Sequence, residues 1–223
     1  MAKHLSPADF QATTGCSDAA LARLDSYAAL LAKWQAAINL VAANTLPDLW
    51  ARHMLDSAQL LPLAPPGTAR WLDLGSGGGF PGLVIAALGA DRGITTVHLV
   101  ESDQRKATFL REAARAMALP MGDRGVTVHV KRIEAVEPAA LHAAMGGPPD
   151  VISARALAAL EALLPLAHRL AGPETLYVFP KGRQAGDELT AARRYWTIRD
   201  LARLPSQTDP DARIVTIRGL EPA

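Results

Sequence analysis

A chain of 223 residues, 49% of them hydrophobic, is long enough for one α/β domain with a full core and an additional element, and two large domains would be crowded in it. A formal charge of +1 and a pI near 8.0 exclude a strongly basic tail, so any nucleic-acid surface is local. The single Cys16 excludes an internal disulfide and a four-cysteine zinc site and fits a reducing compartment. No apolar run approaches the roughly 18 residues of a membrane span, and MAKHLSPADF lacks the apolar centre of a secretion signal; both place the protein in the cytoplasm.

From Ser17 to Val41 apolar residues recur at helical spacing, with Ser17 as N-cap. A second helix is expected from Pro47 to Leu61. On it Arg52 and Asp56 stand four apart on one face, with His53 between them. The rigid PLAPPG at 62–67 reads as a linker, which divides the chain into a helical extension (1–66) and a main domain (67–223). At its head, WLDLGSGGGFPG (71–82) is a short apolar strand, a turn of glycines and a helix start in which Pro81 takes the first helical position. A second strand, ITTVHLV, ends in Glu101, followed by a helix from Asp103 to Leu119 capped by Asp103. GVTVHVKR is the third strand, and Ile133 and Glu134 follow it. After a weak helix come a fourth strand (151–154) ending at Arg155, a helix from Ala156 to Ala171 kinked at Pro165, and a fifth strand, TLYVFP, that runs into Lys181 and Arg183. A helix near 187–195 precedes two last strands. Their short join, PSQTDPDA, suits an antiparallel hairpin. Regular strand–helix alternation predicts a mostly parallel, seven-stranded, Rossmann-like sheet covered on both faces.

Glycines permit positive φ and close approach of a ligand to the backbone, and the helix behind them offers unpaired N–H groups. An acid about 20 residues further on, Glu101, is placed to accept hydrogen bonds from a ribose. Gly75, Gly77 and Gly79 give GxGxG, while Gly77, Gly79 and Gly82 give GxGxxG, so NAD or FAD remains open. Pro81 removes one N–H that would face a pyrophosphate, and Asp73 suits a cationic amino-acid moiety; both favour S-adenosylmethionine. Glu101 has a second reading, as an acid capping the Asp103 helix. Asp73 has one too, as a carboxylate fixing the loop. The histidines show no metal spacing.

LDLGSGGGFPG, LVESDQRKATFLREAAR, VISARAL and FPKGR together, with KWQAAINLV and RHMLDS in the leader, resemble the ribosomal RNA small-subunit methyltransferase G family, also called glucose-inhibited division protein B, over roughly residues 20–185. The resemblance implies a class I methyltransferase fold with an N-terminal helical extension. It also implies transfer of a methyl group from S-adenosylmethionine to nitrogen-7 of one guanine in 16S ribosomal RNA. Carried over by position, the family's cofactor contacts fall on Gly75, Phe80, Ile133, Glu134 and Arg155; the residues themselves add Asp73, Gly77 and Glu101. Arg155 is assigned either to the cofactor's surroundings or to an RNA phosphate.

Methylation of a ring nitrogen that bears a lone pair and no proton needs no general base, so no catalytic residue is assigned. Candidate RNA contacts are Arg52 and His53 on the leader, Lys106 with Arg105, Arg111 and Arg115 on one helix, Lys131 and Arg132, and Lys181 and Arg183. The expected partner is 16S rRNA or the 30S subunit, bound by a monomer. A non-catalytic RNA-binding or ribosome-assembly factor, and an NAD-dependent enzyme, are the alternatives.

Overall fold

The structure, a computed structural model, describes residues 5–122 and 124–223. The first four residues of the leader segment MAKHLSPADF lie outside them. One seven-stranded sheet organises the molecule. Strands β1 (Arg70–Leu74), β2 (Thr96–Glu101), β3 (Val126–Val130), β4 (Val151–Ala154) and β5 (Leu176–Lys181) are parallel, and β6 (Trp196–Pro205) and β7 (Arg213–Pro222) form the expected antiparallel hairpin. Their spatial order is 3-2-1-4-5-7-6. The order reverses at β1, between β2 and β4, and in open α/β sheets the crevice at such a switch point is where ligands bind.

Helices α1 (Pro7–Thr14), α2 (Asp18–Gln35) and the short α3 (Asp56–Ala58) belong to the leader; α4 (Gly82–Gly89), α5 (Gln104–Ala116), α6 (Pro138–Met145), α7 (Leu160–His168) and α8 (Ala185–Ala192) alternate with the strands. Ser17 caps α2 by accepting from the Ala20 amide at 3.3 Å, and Asp103 caps α5 by accepting from the amides of Arg105 and Lys106 at 2.8 and 3.0 Å. Side chains alternate between two cores. Trp71, Leu99, Val128 and Val178 pack under the leader, α4 and α5; Leu72, Leu74, Val100, Ile152 and Phe179 pack under α6, α7 and α8.

Four elements differ from the sequence reading. The first long helix stops at Gln35, because that side chain turns back on the chain: its Oε1 accepts from the amides of Leu40 and Val41, and its Nε2 donates to the Val41 carbonyl. Residues 36–41 are therefore loop. The helix expected from Pro47 to Leu61 is a succession of a 3-10 segment (Ala43–Asp48), a π-helical segment (Trp50–Leu55) and α3. Pro81 stands just ahead of α4 rather than in its first position. The helix expected from Ala156 begins only at Leu160, since Ala156 has φ +52°, which no α-helix accommodates. Pro165 lies inside α7, and the helix runs on to His168.

Candidate cofactor and RNA site

At the carboxyl edge of β1, β2 and β4 lies an open cavity of about 1130 Å³. It brings together Gly75, Gly77, Phe80, Glu101, Ile133, Glu134 and Arg155, and on its outer side Arg52, His53, Lys106, Lys131, Arg132 and Lys181. Asp73 and Arg183 are not part of its lining.

The glycine turn is held from below by β2. Glu101 is only 8% exposed; its Oε2 accepts from the Gly77 amide and its Oε1 from the Asp103 amide, both at 2.8 Å. One carboxylate thus ties the turn to the start of α5, and each oxygen keeps a second acceptor position. Gly75 and Gly77 take φ +65° and +54°, and a Cβ on Gly77 would meet nothing nearer than the Gly75 carbonyl oxygen at 3.8 Å. Backbone at Gly77 is open to a ligand.

The other turn glycines serve packing. A Cβ on Gly78 would lie 2.8 Å from the Leu40 carbonyl oxygen, and one on Gly79 would lie 2.7 Å from the Tyr27 hydroxyl. Tyr27, fully buried in α2, donates that hydroxyl to the Gly78 carbonyl, and burial raises its pKa well above the ordinary phenol value, so it stays a donor. The leader reaches the turn by backbone contact. Nothing in the spacing of Tyr27 or Leu40 sets them apart from other apolar helix positions.

Asp73 departs from the sequence reading. In the β1–β4 register it sits opposite Ser153, on the face it shares with Trp71, away from the cavity. There it is 0% exposed and accepts from Ser153 Oγ at 2.7 Å and from the Gly82 amide at 3.3 Å; Ser153 in turn accepts from Trp71 Nε1. Burial pushes its carboxyl up to about 6, against the pull of the Ser153 bond. It braces the turn from within.

Arg155, at the end of β4, meets the leader. Its guanidinium pairs with Asp56 at 3.2 Å, donates to His53 Nδ1 at 2.8 Å and to the Arg52 carbonyl at 3.2 Å, and lies 5.1 Å from the centre of the Phe80 ring. His53 also faces Phe80, ring centres 5.0 Å apart, and its Nε2 lies 2.7 Å from Thr45 Oγ1. Because Nδ1 accepts from Arg155, Nε2 carries the proton and donates to Thr45. Burial, reinforced by the Arg155 and Arg52 charges, pushes His53 down to about 3. It is a neutral, buried bridge and a poor phosphate ligand. Asp56 Oδ1 accepts from Thr208, and Gln59 bonds Ser206 and the Gln207 amide, so the β6–β7 turn closes the third side of the cavity. Sequence reading treated that turn only as a join.

Among the other candidates, Lys181 is held by Glu188 at 2.9 Å and by the Ala158 carbonyl. Arg105 donates to the Ala37 carbonyl and Arg111 to the Val128 carbonyl, both contacts that tie elements together. Arg183 is exposed outside the cavity. Lys131 and Arg132 are exposed on its rim, and Lys106 is half-buried there.

Residues 20–214 match the family described as rRNA small subunit methyltransferase G (GidB). The chain belongs to the rRNA small subunit methyltransferase G family. It is 51% identical over 214 residues to the ribosomal RNA small subunit methyltransferase G of Rhodospirillum centenum, covering 96% of this chain and 91% of that one. Against the protein of that name from Parvibaculum lavamentivorans the identity is 54% over 211 residues, with 95% and 88% covered. Among solved structures, an O-methyltransferase from Bacillus cereus in complex with SAH superposes with a TM-score of 0.53 at 15% identity, covering 86% of this chain and 90% of that one. A TehB-like SAM-dependent methyltransferase from Corynebacterium glutamicum gives 0.52 at 16%, with 87% and 97% covered. These similarities establish a class I methyltransferase fold. The residues present fit S-adenosylmethionine: an open glycine backbone, an acid with acceptor positions to spare, and apolar Ile133 share one cavity.

Proposed function

We propose that this protein transfers the methyl group of S-adenosylmethionine to nitrogen-7 of one guanine in 16S ribosomal RNA, acting as a cytoplasmic monomer on the RNA or on the 30S particle. The observation that carries the reading is the Gly77–Glu101 pair opening on a cavity in a chain whose residues 20–214 match the methyltransferase G family. When bound, the cofactor supplies an electrophilic methyl group on a positively charged sulfur.

The chain's own residues bind and orient. Gly75 and Gly77 admit the amino-acid end, Glu101 accepts from the ribose hydroxyls with its remaining acceptor positions, and Ile133 and Glu134 line the far wall. Phe80, clamped by His53 and Arg155, keeps the region beside the turn apolar. No base is required. His53 does not supply one, as both its ring nitrogens are engaged and its pKa is about 3. Positioning and exclusion of water carry the rate, and alignment of this kind contributes several kcal/mol. Residues 1–66 act as an extension that walls the site of the domain formed by 67–223. Arg155 joins the two parts and orients Phe80, its charge neutralised by Asp56.

The test is to incubate the pure protein with methyl-labelled cofactor and either naked 16S RNA or 30S particles, then map the modified nucleotide. A single guanine methylated at nitrogen-7 is expected. Cofactor binding without transfer in either preparation overturns the enzymatic reading and leaves an RNA-binding factor.

A further inference from the structure

Between β4 and α7 the five residues Arg155–Ala159 all line the cavity. The segment is pinned at both ends: Arg155 by Asp56 and His53, Ala158 through its carbonyl by Lys181, and Leu160 by its amide to Glu188 at 2.9 Å. Between these anchors Ala156 holds φ +52°, a conformation that a residue with a Cβ rarely adopts and that persists where the surroundings impose it. The next residue, Leu157, is 38% exposed. Of the three large hydrophobic side chains exposed among the described residues, Met121, Leu157 and Tyr195, it alone lines the cavity. Its Cδ1 stands 2.6 Å from where a Cβ on Gly75 would be, so it lies over the glycine turn. A pinned, strained loop therefore presents one apolar side chain to a cavity whose rim is charged.

We infer that Leu157 is the apolar face on which the target guanine ring rests while nitrogen-7 is presented to the methyl donor. A splayed-out RNA base offers a flat, weakly hydrated ring, and proteins that act on such a base receive it against aromatic or apolar side chains. With no proton to remove, fixing the plane of the ring is the main demand the reaction makes on this wall. Leu157 sits at the right border for that task, between the turn assigned to the cofactor and the rim that carries Lys131 and Arg132. The inference rests on the guanine-methyltransferase reading above.

Leu157→Ala, Leu157→Asn and Leu157→Met separate the possibilities. Each is measured for S-adenosylmethionine affinity by calorimetry, for melting temperature, and for single-turnover methyl transfer over a range of 16S RNA concentrations. All three are expected to bind the cofactor within about twofold of the parent and to melt with it, because the side chain is partly exposed. Alanine and asparagine lower the rate at saturating RNA about tenfold or more with little change in the half-saturating concentration, and methionine restores most of it. An asparagine variant as fast as the parent overturns the inference, since a polar side chain of equal size then serves equally well. Loss of cofactor affinity with a normal rate at saturating cofactor also overturns it, and makes Leu157 part of the cofactor pocket. A parent protein that methylates no guanine removes the functional reading itself.

Discussion

Asp73 and Glu101 end adjacent parallel strands, and their side chains do opposite things. Glu101 faces the cavity edge and holds two backbone amides; Asp73 faces the interior and braces Gly82. The spacing from the glycine turn located Glu101 in the sequence. It did not reveal that both oxygens already accept from the backbone, so that the ribose-binding and helix-capping readings describe one carboxylate. Asp73 was not legible, because β1 is buried on both faces and its apolar run gives no sign of which parity meets the ligand. Its raised pKa has a measurable consequence. A carboxyl at about 6 when folded and near 3.9 when unfolded favours the folded state in its protonated form; that stability is fully present below about pH 4 and is lost as pH rises through about 6. Urea unfolding of the parent and of Asp73→Asn at pH 4.5 and 7.5 is expected to show the parent losing on the order of 2–3 kcal/mol relative to the variant over that interval. Parallel pH profiles would show that Asp73 does not titrate in this range.

At the level of elements, the glycine turn is as much a packing joint as a ligand loop. Gly77 leaves its backbone open, whereas Gly78 lets the turn touch the Leu40 carbonyl. Gly78→Ala forces backbone against backbone and is expected to destabilise the fold by about 1–3 kcal/mol, as overpacking does. Gly77→Ala, which meets open space, costs only its left-handed strain, about 1–2 kcal/mol. Unfolding midpoints compare the two for stability, and cofactor titration shows the larger affinity loss at Gly77. Strand–helix alternation, the terminal hairpin and the Asp103 cap were all readable, because hydrophobic period and capping chemistry are local. The stop at Gln35, the π-helical turn of Trp50–Leu55 and the strained loop at Ala156 were not. Each depends on a contact made only after the chain has folded: Gln35 with the 40–41 backbone, Arg155 with the π-turn, and Glu188 with Leu160.

Over the whole molecule, a net charge of +1 hides a local arrangement. Arg155 and Lys181 are neutralised by Asp56 and Glu188, and Arg52 stands 3.9 Å from Asp209, while Lys106, Lys131 and Arg132 line the cavity where β2 and β3 end. If those three meet phosphates, log affinity for RNA falls against log salt with a slope of roughly −2 to −3, and Lys131→Ala with Arg132→Ala reduces the slope by about 1–2 without changing cofactor affinity. A slope that the double variant leaves untouched would assign RNA contact elsewhere. The sheet order carries one more consequence. β7 is translated after β6 yet lies inside it, against β5. A nascent chain that has emerged only as far as residue 212 therefore holds a ten-residue ribbon with no neighbour, an open flank on β5, and no Thr208 clasp set in place by a finished hairpin. A protein proposed to mark ribosomal RNA thus acquires its working pocket only when its last strand has left the ribosome that makes it.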